Sequence, residues 1–153
     1  MTLEENKRVV RRHFEEIFNE QNLDVIEEIT ALDYREHGVA PFQSPTSGTK
    51  ETPDGPESLR ATAKWLLVAF PDLRFTIERM IAEDDMVAVR LVMEGTHQGA
   101  FQGIAPTGKR IQGTRTDLFR VQEGKISEHW ANRDDLGMFL QLGVFQAPGQ
   151  SRS

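Results

Sequence analysis

Two periods of apolar spacing divide this chain. Up to residue 70 the spacing is helical. Val10, Phe14, Ile17 and Phe18 recur three or four positions apart, which predicts an amphipathic helix, and Thr2 with Glu5 forms its capping box. Asn22 or Asp24 starts a second helix carrying Val25, Ile26, Ile29 and Leu32. From Asp33 to Thr52 the chain is rich in Gly, Pro, Ser and Thr and reads as a long loop, of the kind that often serves as a lid. Asp54-Gly55-Pro56-Glu57 opens a third helix with a cap, a first-turn proline and an acid, and Leu59, Ala63, Leu66, Leu67 and Phe70 give it an apolar stripe.

From Leu73 the period is two. Leu73, Phe75, Ile77 and Ile81 alternate with Arg74, Thr76, Glu78 and Met80. Asp84-Asp85 makes a turn, and Met86 to Glu94 is apolar enough for a strand covered on both faces. A glycine-rich stretch, Gly95 to Gly108, leads into a long hairpin, Gly113 to Ala131, and Asp134 or Asp135 caps a short last helix that ends near Gly143. Helices followed by strands predict an α+β fold. The expected shape is a cone-shaped α+β barrel: three N-terminal helices on a strongly curved antiparallel sheet, with a cavity between the layers. Residues 1–145 form one domain, and 146–153 read as a disordered tail.

The hairpin carries the candidate chemistry. Arg115, Asp117, Phe119 and Val121 share one face, and on the return strand Ser127, His129 and Ala131 separate from Ile126, Glu128 and Trp130. A three-residue loop, Gln122-Glu123-Gly124, sets Asp117 opposite His129 on the same face. A two-residue loop, Glu123-Gly124, sets Leu118 there instead and turns Asp117 away. The first register is favoured. Leu118, Ile126 and Trp130 then form an apolar stripe on the outer face, which predicts a homodimer through the sheet.

Composition narrows the classes of function. At 153 residues, 38% hydrophobic and 27% charged, the chain suits one globular domain. A net charge of −6 without a basic run argues against nucleic acid as a partner. No stretch has the length of a membrane span, and the first residues lack the apolar core of a signal peptide. Cysteine is absent, so thiolate chemistry is excluded, and a cytoplasmic setting is expected. The four His show no metal-ligand spacing, and neither a dinucleotide fingerprint nor a phosphate loop is present. No metal and no organic cofactor are expected.

Three segments carry a family resemblance: Gly95 to Lys109 (GTHQGAFQGIAPTGK), Phe119 to Trp130 (FRVQEGKISEHW) and Leu140-Gln141-Leu142-Gly143. With the N-terminal helix and Asp33-Tyr34, the chain resembles the SnoaL-like polyketide cyclases, which have the nuclear transport factor two-like fold. The resemblance implies a pocket for intramolecular aldol closure of an aromatic polyketide, with no metal or organic cofactor, and a two-fold dimer through the sheet. The family's acid/base Asp falls at Ala131, and a family His falls at Asp117.

His129 and Asp117 are therefore the catalytic candidates, the carboxylate orienting the imidazole and favouring its protonated form. Arg115, on the same face, and Arg90, which interrupts an apolar strand, are candidates to bind a carboxylate or enolate oxygen; each could equally pair with an acid, Asp117 or Glu94. An Asp–Arg pair also resembles the epoxide hydrolases of this fold. His37 and Tyr34, in the segment where relatives reach the pocket mouth, are further contacts, and Trp65 and Phe119 are pocket walls. His97 is expected to hold the backbone of its glycine-rich loop, and His13 to lie on a helix surface. The ligand expected is a small hydrophobic carbonyl compound, handled by cyclase, lyase or isomerase chemistry. The alternative is a binding domain of the same fold without catalysis.

Overall fold

The structure is a computed structural model that describes residues 1–37, 54–145 and 148–149. The expected loop therefore lies mostly outside the described residues, and so does most of the expected tail. Helix α1 spans Leu3–Arg12. Its capping box forms: Thr2 Oγ1 accepts from the Glu5 amide at 3.1 Å, and Glu5 Oε2 accepts from the Thr2 amide at 2.6 Å. The helix runs on without a break into a π-helical stretch, His13–Asn19, that buries His13, Phe14, Ile17 and Phe18. Helix α2 is short, Val25–Ile29.

The second helix ends earlier than its apolar pattern suggests, because residue 30 begins an edge strand. Strand β1, Thr30–His37, buries Thr30 and Tyr34, while Leu32 is 90% exposed. Helix α3, Pro56–Ala69, starts after Gly55 rather than Asp54. Gly55 holds φ at 109°, and its amide bonds the Tyr34 carbonyl, tying the start of α3 to β1.

Four further strands follow: β2 (Arg74–Glu83), β3 (Met86–Thr96), β4 (Arg110–Gln122) and β5 (Lys125–Arg133). The sheet order is β1-β5-β4-β3-β2. Neighbours are antiparallel except for β1, which pairs parallel to β5, so the sheet is mixed at that edge. Helix α4, Asp135–Leu142, is capped by Asp134, which accepts from the Gly137 amide, and ends at Gly143 in the left-handed conformation. Among the described residues no helix is long and apolar enough to cross a membrane.

Two bulges correct the strand reading. In β2 the register shifts between Ile77 and Arg79, so Phe75 and Ile77 face inward but beyond them Met80 and Ala82 do, leaving Ile81 63% exposed. In the β4–β5 hairpin the turn is the two-residue one: Gln122 pairs with Lys125, and Glu123 and Gly124 both hold positive φ. That register alone would turn Asp117 away from His129. A bulge on β5 at Ser127 restores it, because Val121 pairs with Ile126 but Arg120 with Glu128. Phe119 then opposes His129 and Asp117 opposes Ala131, all on the inner face. The three-residue loop is thus overturned, although the shared face stands. The two-residue turn sets Ile126 opposite the buried Val121 and into the core, so it is not part of the outer stripe. Strand β3 buries Val87, Val89, Leu91 and Met93 on one face only, with Arg90 exposed on the other.

Candidate active site

A cavity lies between helices and sheet and opens to solvent. Its apolar walls include Phe14 and Phe18 from the π-helical stretch, Trp65 and Leu66 from α3, and Phe75 and Met93 from the sheet. Polar groups converge at one side: His13, Glu36, Arg115, Asp117 and His129, with Arg133 and Asp135 nearby. An apolar hollow with a few convergent polar groups is the usual form of a small-molecule site.

The polar groups form one chain of hydrogen bonds. Tyr34 donates its hydroxyl to Glu36 Oε2 at 2.6 Å. His129 Nδ1 lies 2.6 Å from the same oxygen, and its Nε2 lies 2.8 Å from Asp117 Oδ2. Arg115 closes the chain with a fork onto Asp117, Nε to Oδ1 and Nη2 to Oδ2, both 2.7 Å. The elements explain the convergence. Arg115 and Asp117 are two apart on β4, His129 is brought to that face by the bulge, and Glu36 sits beside His129 in the parallel β1–β5 pairing.

An imidazole between two carboxylates must offer a proton to each, so His129 is doubly protonated. Burial alone would lower its pKa; the charges of Glu36 and Asp117 reverse this and raise it to about 9. Burial would raise Asp117, yet Arg115 and His129 hold its carboxyl well below the usual carboxylate range. Glu36 is also lowered: burial opposes this, and the His129 charge and the bonds from His129 and Tyr34 outweigh it. Two carboxylates thus face two cations, and the buried group carries no net charge. His13 is the opposite case. Burial, helped by the neighbouring His129 charge, drives its pKa down to about 3 and keeps it neutral.

The cavity gathers His129, Asp117, Arg115 and Trp65 of the expected residues. Phe119 stacks on the His129 ring, with centroids 4.5 Å apart, and Tyr34 is buried behind Glu36. Two candidates are elsewhere. Arg90 projects from the outer face and meets Glu78 at 3.5 Å, because an odd step along β3 points away from the helices. His37 also faces outward, stacked on Trp130 at 4.5 Å and 3.3 Å from Glu128.

Glu36 and His13 escaped the sequence reading, although both left a signal. Tyr34-Arg35-Glu36-His37 alternates as a strand does, which sets Glu36 beside Tyr34 and His37 opposite; reading a loop there hid the alternation. His13 falls three residues after Val10 and four before Ile17, on the apolar stripe itself. His97 is buried in the loop after β3, where its Nδ1 accepts from the Thr107 amide at 3.2 Å.

The family model described as SnoaL-like polyketide cyclase matches residues 8–142. This chain belongs to the SnoaL-like polyketide cyclase family. Among its curated relatives is the aklanonic acid methyl ester cyclase DnrD of Streptomyces peucetius, 30% identical over 135 residues, with 86% of this chain and 87% of that protein covered. IdmH of Streptomyces antibioticus, a putative polyketide cyclase, superposes with a TM-score of 0.72 at 31% identity, covering 91% of this chain and 99% of that one. AclR of Streptomyces galilaeus, described as a putative hydroxylase, gives 0.77 at 26% identity, covering 97% and 87%. The family fold is therefore shared by proteins named for different reactions, and the cavity's own residues must decide the chemistry.

Proposed function

We propose that this member of the family carries out proton-transfer chemistry at a carbonyl of a hydrophobic, polyketide-like compound, in the manner of an aldol closure. One observation carries the reading: an apolar cavity ends on a charge-balanced, hydrogen-bonded group in which, among the described residues, Glu36 Oε2 takes two bonds and Oε1 takes none. Asp117 accepts three bonds and is a poor base. Glu36 is the better proton acceptor.

The steps balance. Glu36 removes a proton from the carbon next to a carbonyl, leaving an enolate. The enolate carbon bonds to a second carbonyl carbon, whose C=O electron pair moves onto oxygen. That alkoxide is stabilised by the His129 and Arg115 charges and takes up a proton. His129 is the proton carrier, replenished from Glu36 across their 2.6 Å contact, and Asp117 orients it. Ala131, directly across from Asp117, offers no carboxylate at the position where the family resemblance puts its acid/base. Glu36 fills that role from a different strand.

The test uses two probes. With 1-tetralone in deuterated water, the protein is expected to speed exchange of the protons next to the carbonyl, and Glu36→Gln is expected to reduce that rate about a hundredfold or more. With aklanonic acid methyl ester, for which several curated relatives are named, closure is expected to show the same dependence. Tight binding of both with no exchange would replace the enzyme by a binding domain.

We also infer self-association through the outer face of the sheet. The corrected stripe runs straight across four strands, Ile81, Ala88, Leu118 and Trp130, each paired with the next. Ile81 and Leu118 are exposed. The cytoplasm is the setting we infer, where a chain without cysteine has no disulfide to lose.

A further inference from the structure

His13 is costly for a purely structural ring. It packs edge-on against Phe14 (4.8 Å), Phe18 (5.4 Å) and Phe119 (5.1 Å), contacts that a phenylalanine would make as well. The imidazole adds a nitrogen, Nδ1, that is shut off from solvent without a hydrogen-bond partner among the described residues. A buried lone pair is tolerated better than a buried N–H, so the ring's single proton belongs on Nε2. Nε2 is not among the ring atoms shut off in this way, and the ring itself lines the cavity. The ring also opens the π-helical stretch His13–Asn19, a local geometry that recurs at functional sites. Its centroid is 6.0 Å from that of His129.

We propose that His13 binds the ligand directly, donating a hydrogen bond from Nε2–H to a carbonyl oxygen and so selecting which carbonyl is presented to Glu36 and His129. An N–H donor requires an acceptor, and in a hydrophobic compound the carbonyl is the strongest neutral one. Being uncharged, His13 adds this bond without upsetting the balance of the four charged groups beside it. Among apolar walls such a bond is stronger than in water. The inference rests on the reading of the cavity as a site for carbonyl compounds.

The experiment compares 9-fluorenone, labelled with 13C at its carbonyl, with fluorene, the same skeleton without the oxygen. Bound fluorenone is expected to show a lowered C=O stretching frequency in the infrared. His13→Phe is expected to relax that shift and weaken fluorenone about tenfold, the worth of one hydrogen bond, while fluorene binds as before. His13→Gln, whose amide reaches to a similar place, is expected to keep part of the shift. An unchanged shift and affinity in His13→Phe overturn the inference and leave the cavity's role standing. Failure of both compounds to bind the unaltered protein overturns that role and the inference together. Should the variants not fold, 15N-histidine labelling of the unaltered protein gives the answer. The His13 Nε2 proton is expected to move downfield with fluorenone and not with fluorene; no movement, or a proton on Nδ1, overturns the inference.

Discussion

The β4–β5 hairpin carries two clusters of the same residue types, back to back. On the inner face Arg115, Asp117, His129 and Glu36 are linked. On the outer face Arg120 joins Glu128 at 2.5 Å and Asp85 at 2.9 Å, and His37 lies 3.3 Å from Glu128. Distances do not separate them; surroundings do. Asp117 is 0% exposed and lies against an apolar cavity, where each charge depends on its partner. The outer cluster borders water, which screens its charges and replaces any lost bond. Identical chemistry thus becomes a buried, mutually dependent network beside a cavity on one side of a hairpin and ordinary surface decoration on the other.

The strongest way to break this contrast is to remove one carboxylate from each cluster. Asp117→Ala leaves Arg115 and a charged His129 buried and facing each other, and is expected to cost about 3–5 kcal/mol in urea denaturation. Glu128→Ala is expected to leave the midpoint nearly unmoved. Comparable losses at the two positions would show that burial does not distinguish the clusters.

A second, smaller effect is on pH dependence. His129 has a raised folded-state pKa, so its contribution is complete below its unfolded value near 6.5 and is lost as pH rises through about 9. His13 is lowered, so its contribution is complete above about 6.5 and is lost as pH falls through about 3. The depressed carboxyls of Glu36 and Asp117 add to the loss at the acid end. Stability is therefore expected to peak near pH 6.5 and to fall by about 3 kcal/mol toward alkaline pH from His129 alone. In thermal melts across pH, His129→Gln should flatten the alkaline limb; a limb unchanged in that variant would contradict the assignment.

The smallest expected effect belongs to the outer row. Leu118→Glu is expected to shift the protein to monomer in sedimentation velocity with little change in the melting temperature. A monomer before the change, or a dimer after it, would remove the outer face from the account.

Apart from β1, the order of helices and strands was legible because apolar period and capping residues are local signals: Thr2 with Glu5, and Asp134 before α4, sit where the sequence puts them. The two bulges were not legible. A bulge inserts one residue without altering composition, so Ile81 changed face with no mark in the sequence. The shared face of Asp117 and His129 was reached through a wrong turn, since a two-residue loop with one bulge preserves the parity of a three-residue loop. Arg90 and His37 went astray for want of a face, and Glu36 was passed over because its strand reads as a loop until β5 is seen beside it.

The central claim is that His129 is held as an imidazolium between Glu36 and Asp117. Nitrogen-15 chemical shifts of its ring, followed from pH 5 to 11, test it most directly. Both nitrogens are expected to be protonated at pH 7, with titration near 9; a single neutral tautomer at pH 7 would contradict it.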